Sequence, residues 1–535
     1  MPEDVAPAVA EQDRYARALK YSAYDTVSAV VLGLVSAILT ARVFGIEVIG
    51  AFALASLLTG SLHMVSNVRE QGGLVRELTR YAPNAPECRA LLWLVLGFSA
   101  MLTVAILVPF GALAVFLLHD VFDRPELVAP FAALAASYVV LDNTSFNLEA
   151  PLVAFRDGRG IWLARAAVTA TMIAGAVVCA LADRRTLWSL VAVTIVASAV
   201  GLALRLRAVG RLTGLRTARH AIRAVRARLR PIVWFGVRQA PLNYSETAIE
   251  YADTAVLGAT VSLASVGAYN RAYTLYRRAG QVPLALSRLY FPTLSALHHR
   301  GDNAAMMRVY RVSLRYLTLV LLPLATWLAA SAPAVLGVFG PGFGAGSTAF
   351  SILIFGVVLA GLNATAGGLL SAVDRPGIVS LVSIASAVVN VAFCLALIPP
   401  LELTGAALAN AGGLLFETAV LVVVAGRHVG RRLGEMTDAG FAARLACACA
   451  VLALAVVPLR AIDGTLAWQM LVAMPALAAG LAIFRPLAHA DLPTVERAVA
   501  AAGIGSPRAR RVIRAVHTRI AHGPAYAADP APSRS

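Results

Sequence analysis

The sequence predicts an all-α polytopic membrane protein of about fourteen transmembrane helices. Composition, the spacing of apolar runs and the placement of arginine all point to this fold class. Of the 535 residues, 59% are hydrophobic and 14% are charged, and the mean hydropathy is +0.74. A soluble domain averages about 25% charged residues. Because lipid offers the backbone no hydrogen-bond partners, segments this apolar must be helical where they cross a bilayer.

Apolar runs of about 20 residues, the length that crosses a bilayer, recur along the whole chain. They lie near 22–45, 48–68, 90–118, 127–155, 161–182, 186–204, 232–258, 264–296, 311–338, 348–372, 377–399, 403–426, 441–460 and 466–486.

The loops between these spans share the arginines unequally, and this asymmetry predicts the orientation. Segment 205–230 alone holds nine arginines, and 69–89 and the tail are also arginine-rich. Such loops stay in the cytoplasm, so the net charge of +17 indicates membrane topology and not a nucleic-acid partner. We expect a multi-pass protein of the cytoplasmic (inner) membrane, with both termini in the cytoplasm.

The spans and loops together predict six segments. They are a cytoplasmic N-terminus at 1–21, an N-lobe of six helices at 22–204, a basic cytoplasmic linker at 205–230, a C-lobe of six helices at 231–426, two further helices with their preceding loop at 427–486, and a basic cytoplasmic tail at 487–535.

The five cysteines lie in apolar spans or beside basic loops, without histidine at a metal-binding spacing. We therefore expect neither a metal site nor a cofactor.

A short repeat supports the division into two lobes. Gly50-Ala51-Phe52 near the start of the second span matches Gly267-Ala268-Tyr269 in the eighth, six spans later. Small residues of this kind let helices approach closely. Repeats packed around a site at the bilayer midplane are typical of transporters.

Two stretches carry a resemblance to a known family. "ARVFGIEVIGAFALASLLTGSLHMVSNVREQGGLVREL" (41–78) and "DTAVLGATVSLASVGAYNRAYTLYRRAGQVPLALSRLYFPTLSAL" (253–297) resemble two hairpins of Wzx-type polysaccharide flippases. These belong to the MATE-like MOP exporter superfamily, and the colanic-acid-exporter branch is the most similar. The resemblance implies two six-helix bundles around a cavity that opens to one side at a time. It also implies a substrate, an oligosaccharide linked to undecaprenyl diphosphate.

Charged residues inside the seventh and eighth spans are the main site candidates. Glu246, Glu250 and Asp253 share one face of the seventh span, and an antiparallel hairpin would place Asp253 near Arg271 and Glu246 near Arg278. Two interpretations remain open. The charges are structural ion pairs, or surplus arginines bind the substrate diphosphate through their bidentate forks.

The candidate diphosphate ligands are arginines at different depths. At about 1.5 Å per residue, the adjacent pair in the eighth span lies about 22 Å from its outer end, near the midplane. The set is Arg277, Arg278, Arg271 and, near the cytoplasmic end of the seventh span, Arg238.

Two further groups flank these arginines. Tyr269, Tyr273 and Tyr276 could stack on sugar rings, and packing explains them equally well. Carboxylates in the spans could couple transport to ions or protons, or could simply neutralise the arginines. These carboxylates are Glu246, Glu250, Asp253, Asp142 and Glu149, with Asp25 and Glu417 as weaker candidates.

The sequence as a whole favours a flippase for a polyprenyl-diphosphate-linked oligosaccharide in exopolysaccharide or cell-surface glycan export, and not an enzyme. A lipid II flippase and a MATE-type drug antiporter remain alternatives. A membrane glycosyltransferase or polymerase is disfavoured, because the outer loops are only a few residues long. Expected partners are the lipid-linked oligosaccharide, membrane lipids, and the polysaccharide polymerase and export machinery.

Overall fold

A computed structural model describes residues 5–67, 70–214, 216, 219–462, 466–488, 515, 518–519 and 521–522. Most of the predicted tail 487–535 therefore lies outside the described residues.

Helices make up nearly all of the described chain. The first group is α1 Val5–Ser66, α2 Glu70–Leu78, α3 Pro86–Phe116, α4 Val128–Ser137, α5 Asn143–Ala154, α6 Gly158–Leu181, α7 Leu187–Leu212, α8 Arg219–Thr260 and α9 Leu263–Ala279. The second group is α10 Gln281–His299, α11 Asn303–Ala330, α12 Ala332–Gly337, α13 Ser347–Leu353, α14 Gly356–Ala372, α15 Pro376–His428, α16 Leu433–Met436, α17 Ala439–Val456 and α18 Leu466–Phe484. Two-residue strands, β1 Leu487–Ala488 and β2 Ala521–His522, pair in parallel.

The helix starts follow from local chemistry. Asp157, Thr186, Asp302 and Asp438 each cap a helix by accepting a hydrogen bond from a backbone N–H in its first turn. Pro283 explains why α9 and α10 are separate helices. Its ring clashes with the carbonyl four residues earlier, at the last residue of α9.

Ten helical segments of the described chain are long and apolar enough to span a membrane, which confirms the all-α membrane fold. Two of the ten are double-length helices. α1 is broken at Gly45, with a φ of 80°, and α15 is broken at Glu402, with a φ of 47°. The charged helices α8 and α9 are not among the ten. The number fourteen stays a prediction.

The chain forms two compact units. One comprises Met1–Arg271, Gly337–Gly346 and Asn390–Ala409, and the other comprises Ala272–Leu336, Ser347–Val389 and Asn410–Ser535. The first unit has a core where α2, α3, α5 and α8 meet, around Leu78, Leu91 and Leu152. The second has a core where α10, α11, α14 and α15 meet, around Tyr310 and Leu370. The predicted lobes, 22–204 and 231–426, remain predictions.

The two predicted Gly-Ala motifs contact each other within the first unit. A Cβ atom on Gly50 would lie 1.9 Å from the Leu263 carbonyl oxygen, and one on Gly267 would lie 2.1 Å from the Ile46 carbonyl oxygen. No side chain fits at either position. The close approach that we predicted for these glycines is therefore present, and each motif packs against the other.

Candidate functional site

The hairpin of α8 and α9 holds the first group of site residues. Its tight turn at Val261 and Ser262 joins the C-terminal end of α8 to the N-terminal end of α9. Asp253 of α8 is fully buried, and its Oδ2 atom accepts a hydrogen bond of 2.5 Å from the Tyr269 hydroxyl of α9. Its Oδ1 atom accepts from the backbone N–H and the hydroxyl of Thr254. Both carboxylate oxygens are thus engaged by uncharged donors.

This arrangement corrects the pairing that we expected between Asp253 and Arg271. Residues 269 and 271 lie about 200° apart around a helix, so the face that turns Tyr269 towards α8 turns Arg271 away. Arg271 forms no ion pair among the described residues, and its buried Nε atom has no hydrogen-bond partner there. Arg271 is consequently a cation without a counter-charge in the described part of the chain.

The other predicted residues of the hairpin differ in exposure. Tyr269 is fully buried and bonded to Asp253, which argues against the stacking role that we predicted for it. Glu246 is exposed and Glu250 is half-buried. Arg238 is exposed, and its guanidinium lies 5.3 Å from the centre of the Trp234 ring, in a cation–π contact.

The continuation of α9 belongs to the second unit and carries the adjacent arginines. Arg277 is exposed and Arg278 is half-buried. The rings of Tyr273 and Tyr276 lie 5.6 Å apart between centroids, and both residues are half-buried. These two tyrosines, unlike Tyr269, keep part of their surface open to a ligand.

A network of charges from α1, α5, α6 and α7 forms a second group, wholly within the first unit. Arg165 donates to Asp25 at 2.7 Å and to Glu149 at 2.5 Å. Arg205 lies 3.6 Å from the other oxygen of Glu149. Asp142 ends the π-helical turn Tyr138–Asp142 before α5, near enough to Arg205 for an electrostatic interaction.

This N-terminal network is mostly neutralised and partly accessible. Three carboxylates (−3) and two arginines (+2) leave one negative charge. The Arg165 side chain is 48% exposed, whereas those of Glu149 and Arg205 are 13% and 12% exposed. The network therefore has a buried end at Arg205 and an open end at Arg165.

Aromatic side chains lie beside the open end. The ring of Trp162 lies 6.0 Å from that of Tyr21 and 5.9 Å from that of Tyr24, and its Nε1 atom donates to the Ser28 hydroxyl at 3.1 Å. Tyr24 is 45% exposed. An open aromatic surface beside charged groups is suited to a sugar, whose rings stack on aromatic faces while its hydroxyls form hydrogen bonds.

Our reading of the sequence overlooked Arg165, Arg205 and Trp162. Arg205 was assigned to the first position of the cytoplasmic linker, and Arg165 lies alone in an otherwise apolar span. An arginine alone in an apolar span requires an ion-pair partner. Asp142 and Glu149, which share a helix face in the same predicted lobe, are two candidate partners. The need of Arg165 for a counter-charge was therefore the signal that the sequence contained.

Other polar groups form hydrogen-bonded cores. Asn143 and Asn147 are buried and bonded to Ser99, and Asn147 also contacts the fully buried Glu70. Glu70 lies in segment 69–89, which the sequence predicts to be a cytoplasmic loop, so its burial was not predicted.

In the second unit, Glu417 accepts from Asn363 at 3.2 Å and from Ser383 at 2.6 Å. These groups hold helices together.

Comparison with solved structures defines the class of the protein. The chain is similar to the lipid II flippase MurJ in its inward closed conformation, with a TM-score of 0.64, 13% identity, and coverage of 87% of this chain and 98% of that one. It is also similar to a multidrug resistance MATE family transporter of the MOP superfamily in an inward-facing conformation, with a TM-score of 0.58, 15% identity, and coverage of 77% and 94%. The protein therefore has the helical fold of MOP superfamily transporters.

The family of polysaccharide biosynthesis proteins matches residues 38–342, more than half of the chain. The chain belongs to this family, and the resemblance to Wzx-type polysaccharide flippases is confirmed. Among curated proteins, none matches this sequence.

Proposed function

We propose that the protein is a flippase that moves a polyprenyl-diphosphate-linked oligosaccharide across the cytoplasmic membrane by alternating access, for the export of a polysaccharide. Its family and its transporter fold support the coarser function, transport in polysaccharide biosynthesis. The single observation that carries the finer proposal is Arg271, whose buried Nε atom has no hydrogen-bond partner among the described residues. Arg271 is half-buried. A cation that has lost part of its hydration without gaining a counter-charge is costly, and a diphosphate would compensate it.

In this mechanism the arginines of α9 bind the diphosphate while the polyprenyl tail stays in lipid. Arg271, Arg277 and Arg278 present forked donors that match phosphate oxygens, and the exposed Arg238 meets the headgroup first. A ligand that carries more than one negative charge is suited to several arginines along one helix.

The oligosaccharide must bind weakly, because it has to be released on the other side of the membrane. Tyr273 and Tyr276 offer partly open rings, and Trp162 with Tyr24 offers a second aromatic surface beside Asp25. Asp142, Glu149, Glu246 and Glu250 are proposed to couple these steps to ions or protons. We also propose that both termini are cytoplasmic and that a polysaccharide polymerase receives the product.

A drug antiporter of the MATE type is disfavoured by the same arginine. A cavity that attracts organic cations would be acidic or apolar, since an uncompensated cation repels them. Lipid II shares the diphosphate and the polyprenyl chain with the proposed substrate, so it serves as a competitor in the test.

The test reconstitutes the full chain in vesicles with a fluorescent polyprenyl-diphosphate oligosaccharide and follows its transfer between leaflets. We expect transfer by the parent protein, and its loss in the double variant Arg277→Ala/Arg278→Ala. Arg300→Ala is the matched control, because Arg300 is an exposed arginine outside α9 and should leave transfer unchanged.

Unchanged transfer by the folded double variant would contradict the proposed role of the pair. Equal transfer of a monophosphate-linked analogue would contradict diphosphate recognition. Preferential transfer of lipid II over the oligosaccharide would reassign the substrate within the same chemical class.

A further inference from the structure

A cavity in the second unit lies between α11, α14 and the turn that joins α16 to α17. Its volume is about 590 Å³, within the range of about 300–1,000 Å³ that is common for ligand pockets. One part of its wall is apolar and includes Leu314, Val358 and Leu362, and another part carries charged groups. None of its residues belongs to the proposed diphosphate site.

Two of its charged residues, Asp438 and Arg315, form an ion pair, and Asp438 also caps a helix. Asp438 caps α17 through its Oδ1 atom, which accepts from the backbone N–H of Phe441 at 2.9 Å. Its Oδ2 atom accepts from Arg315, whose Nε atom lies 3.0 Å away. The charges of Asp438 and Arg315 therefore cancel, and this pair fastens α17 to α11.

The remaining carboxylate at the cavity has two cationic neighbours. The Oε2 atom of Glu435 lies 2.9 Å from Nη1 of Arg431 and 3.9 Å from Nη2 of Arg311. The hydrogen bond from Arg431 is the main cause that lowers the pKa of Glu435. Desolvation opposes it, and the charge of Arg431, the backbone N–H of Arg432 and, least, the charge of Arg311 lower the pKa further. Glu435 is thus ionised at neutral pH, and one of its two arginines is in excess.

The charged residues that line the cavity balance, Arg311 and Arg315 (+2) against Glu435 and Asp438 (−2). Arg431 does not line the cavity, but it pairs with Glu435 from outside and gives the cluster one positive charge. Arg311 is the candidate donor to a ligand, because its side chain is 41% exposed and lines the cavity. Its Nε atom is already engaged by the Glu435 carbonyl oxygen at 2.8 Å, which holds the guanidinium in place.

We infer that this cavity binds the headgroup phosphate of an anionic phospholipid, with one acyl chain along the apolar wall of α11 and α14. A phosphodiester carries one negative charge, which matches the single positive charge of the cluster. The diphosphate of a polyprenyl carrier carries more negative charge than the cluster offers. A soluble anion would gain nothing from Leu314, Val358 and Leu362, whereas an acyl chain would bury apolar surface there.

The site fixes the C-terminal helix pair of α17 and α18 to a lipid as well as to α11. At the C-terminal end of α11, Arg460 donates to the carbonyl oxygens of Ala329 and Ala330 at 2.8 and 2.6 Å. The helix pair is therefore attached near the middle of α11, through Arg315, and at its C-terminal end. The bound lipid would reinforce the first of these attachments.

The experiment is native mass spectrometry of the full chain in detergent, titrated with phosphatidylglycerol and, separately, with phosphatidylcholine. We expect one tightly retained phosphatidylglycerol and weaker retention of phosphatidylcholine. Arg311→Gln should lower phosphatidylglycerol affinity about fivefold, the effect of losing one partly exposed charge pair. Leu362→Trp, which fills the apolar wall and leaves all charges intact, should lower the affinity as well.

Arg308→Gln is the matched control, because Arg308 is an exposed arginine on α11 that does not line the cavity. Equal losses in Arg308→Gln and Arg311→Gln would show a diffuse basic surface and overturn the proposal. So would equal affinities for the two phospholipids, or unchanged affinity in both cavity variants. Displacement of phosphatidylglycerol by a stoichiometric polyprenyl diphosphate would assign the site to the carrier lipid instead.

Discussion

The N-terminal network and the α8–α9 hairpin solve the same physical problem in opposite ways. Both bring carboxylates and arginines onto neighbouring helices. In the network, Asp25, Glu149, Arg165 and Arg205 neutralise one another directly. In the hairpin, Asp253 is satisfied by the uncharged donors Tyr269 and Thr254, and Arg271 has no ion-pair partner among the described residues.

We propose that this difference separates charges that stabilise the fold from charges that bind a ligand. Buried ions persist when they are paired, because an unpaired ion loses its hydration without compensation. The ions of the network are paired with one another within the protein. Arg271 of the hairpin has no such partner among the described residues, so we propose that an external anion pairs with it. Four substitutions test this distinction, and their expected effects decrease in order.

Breaking the network should have the largest effect on stability. Glu149→Gln leaves Arg165 with one carboxylate and removes the ion-pair partner of the buried Arg205. We expect a loss of about 3 kcal/mol in unfolding free energy, measured by thermal unfolding in detergent. The double variant Glu149→Gln/Arg205→Gln should recover part of it, because Arg205 is then no longer left as a cation without its ion-pair partner. Glu126→Gln, an exposed loop carboxylate, is the control. Additive losses in the double variant would show that the pair is not coupled.

The second substitution removes a donor from the hairpin. Tyr269→Phe keeps the buried ring and deletes the hydroxyl that bonds to Asp253. One oxygen of a fully buried carboxylate then lacks a partner, which should cost about 2 kcal/mol. Tyr273→Phe is the matched control on the same helix, because Tyr273 is half-buried. A similar melting temperature for the two variants would mean that the Tyr269–Asp253 bond contributes little.

Much of this comparison could be anticipated from the sequence. A close helix approach at Gly50 and at Gly267 was predicted because glycine has no side chain to keep helices apart, whereas the contact of the two motifs with each other was not predicted. The charged hairpin was predicted because carboxylates and arginines repeat at helical spacing. Such patterns depend on positions along a single element, and one sequence contains them in full.

The partners of Asp253 and Arg165 could not be derived in the same way. A partner depends on helix rotation, and a shift of two residues exchanges Arg271 for Tyr269 across the hairpin. Arg165 reaches Asp25 from a distant part of the chain, and no periodicity links them. Arg205 lies where an apolar span meets a basic segment, so its burial depends on where the helix enters the core.

The third substitution separates function from stability at Arg271. Arg271→Gln removes a half-buried cation that no described residue compensates, so unfolding free energy should stay the same or rise. Transport of the fluorescent lipid-linked oligosaccharide should fall about tenfold, or about 1.4 kcal/mol. Arg271→Lys keeps the charge without the bidentate fork, so its transport rate should lie between those of the parent protein and Arg271→Gln. A variant that is unstable and fully active would place Arg271 among the structural charges and remove the contrast with the network.

The smallest effect is expected at the aromatic surface beside the network. Trp162→Phe keeps an aromatic ring and removes the Nε1–H bond to Ser28, so stability should fall by about 1 kcal/mol. If the network is purely structural, transport per folded molecule should not change. If its open end also contacts the oligosaccharide, transport of a lipid with a longer glycan should fall more than transport of a lipid with a single sugar. Val196→Leu is the control for a mild change on an exposed apolar position of the first unit. A transport rate that depends on glycan length in Trp162→Phe, and not in Val196→Leu, would show that the N-terminal network both stabilises the fold and contacts the substrate. The network would then bind the glycan, and the hairpin would bind the diphosphate.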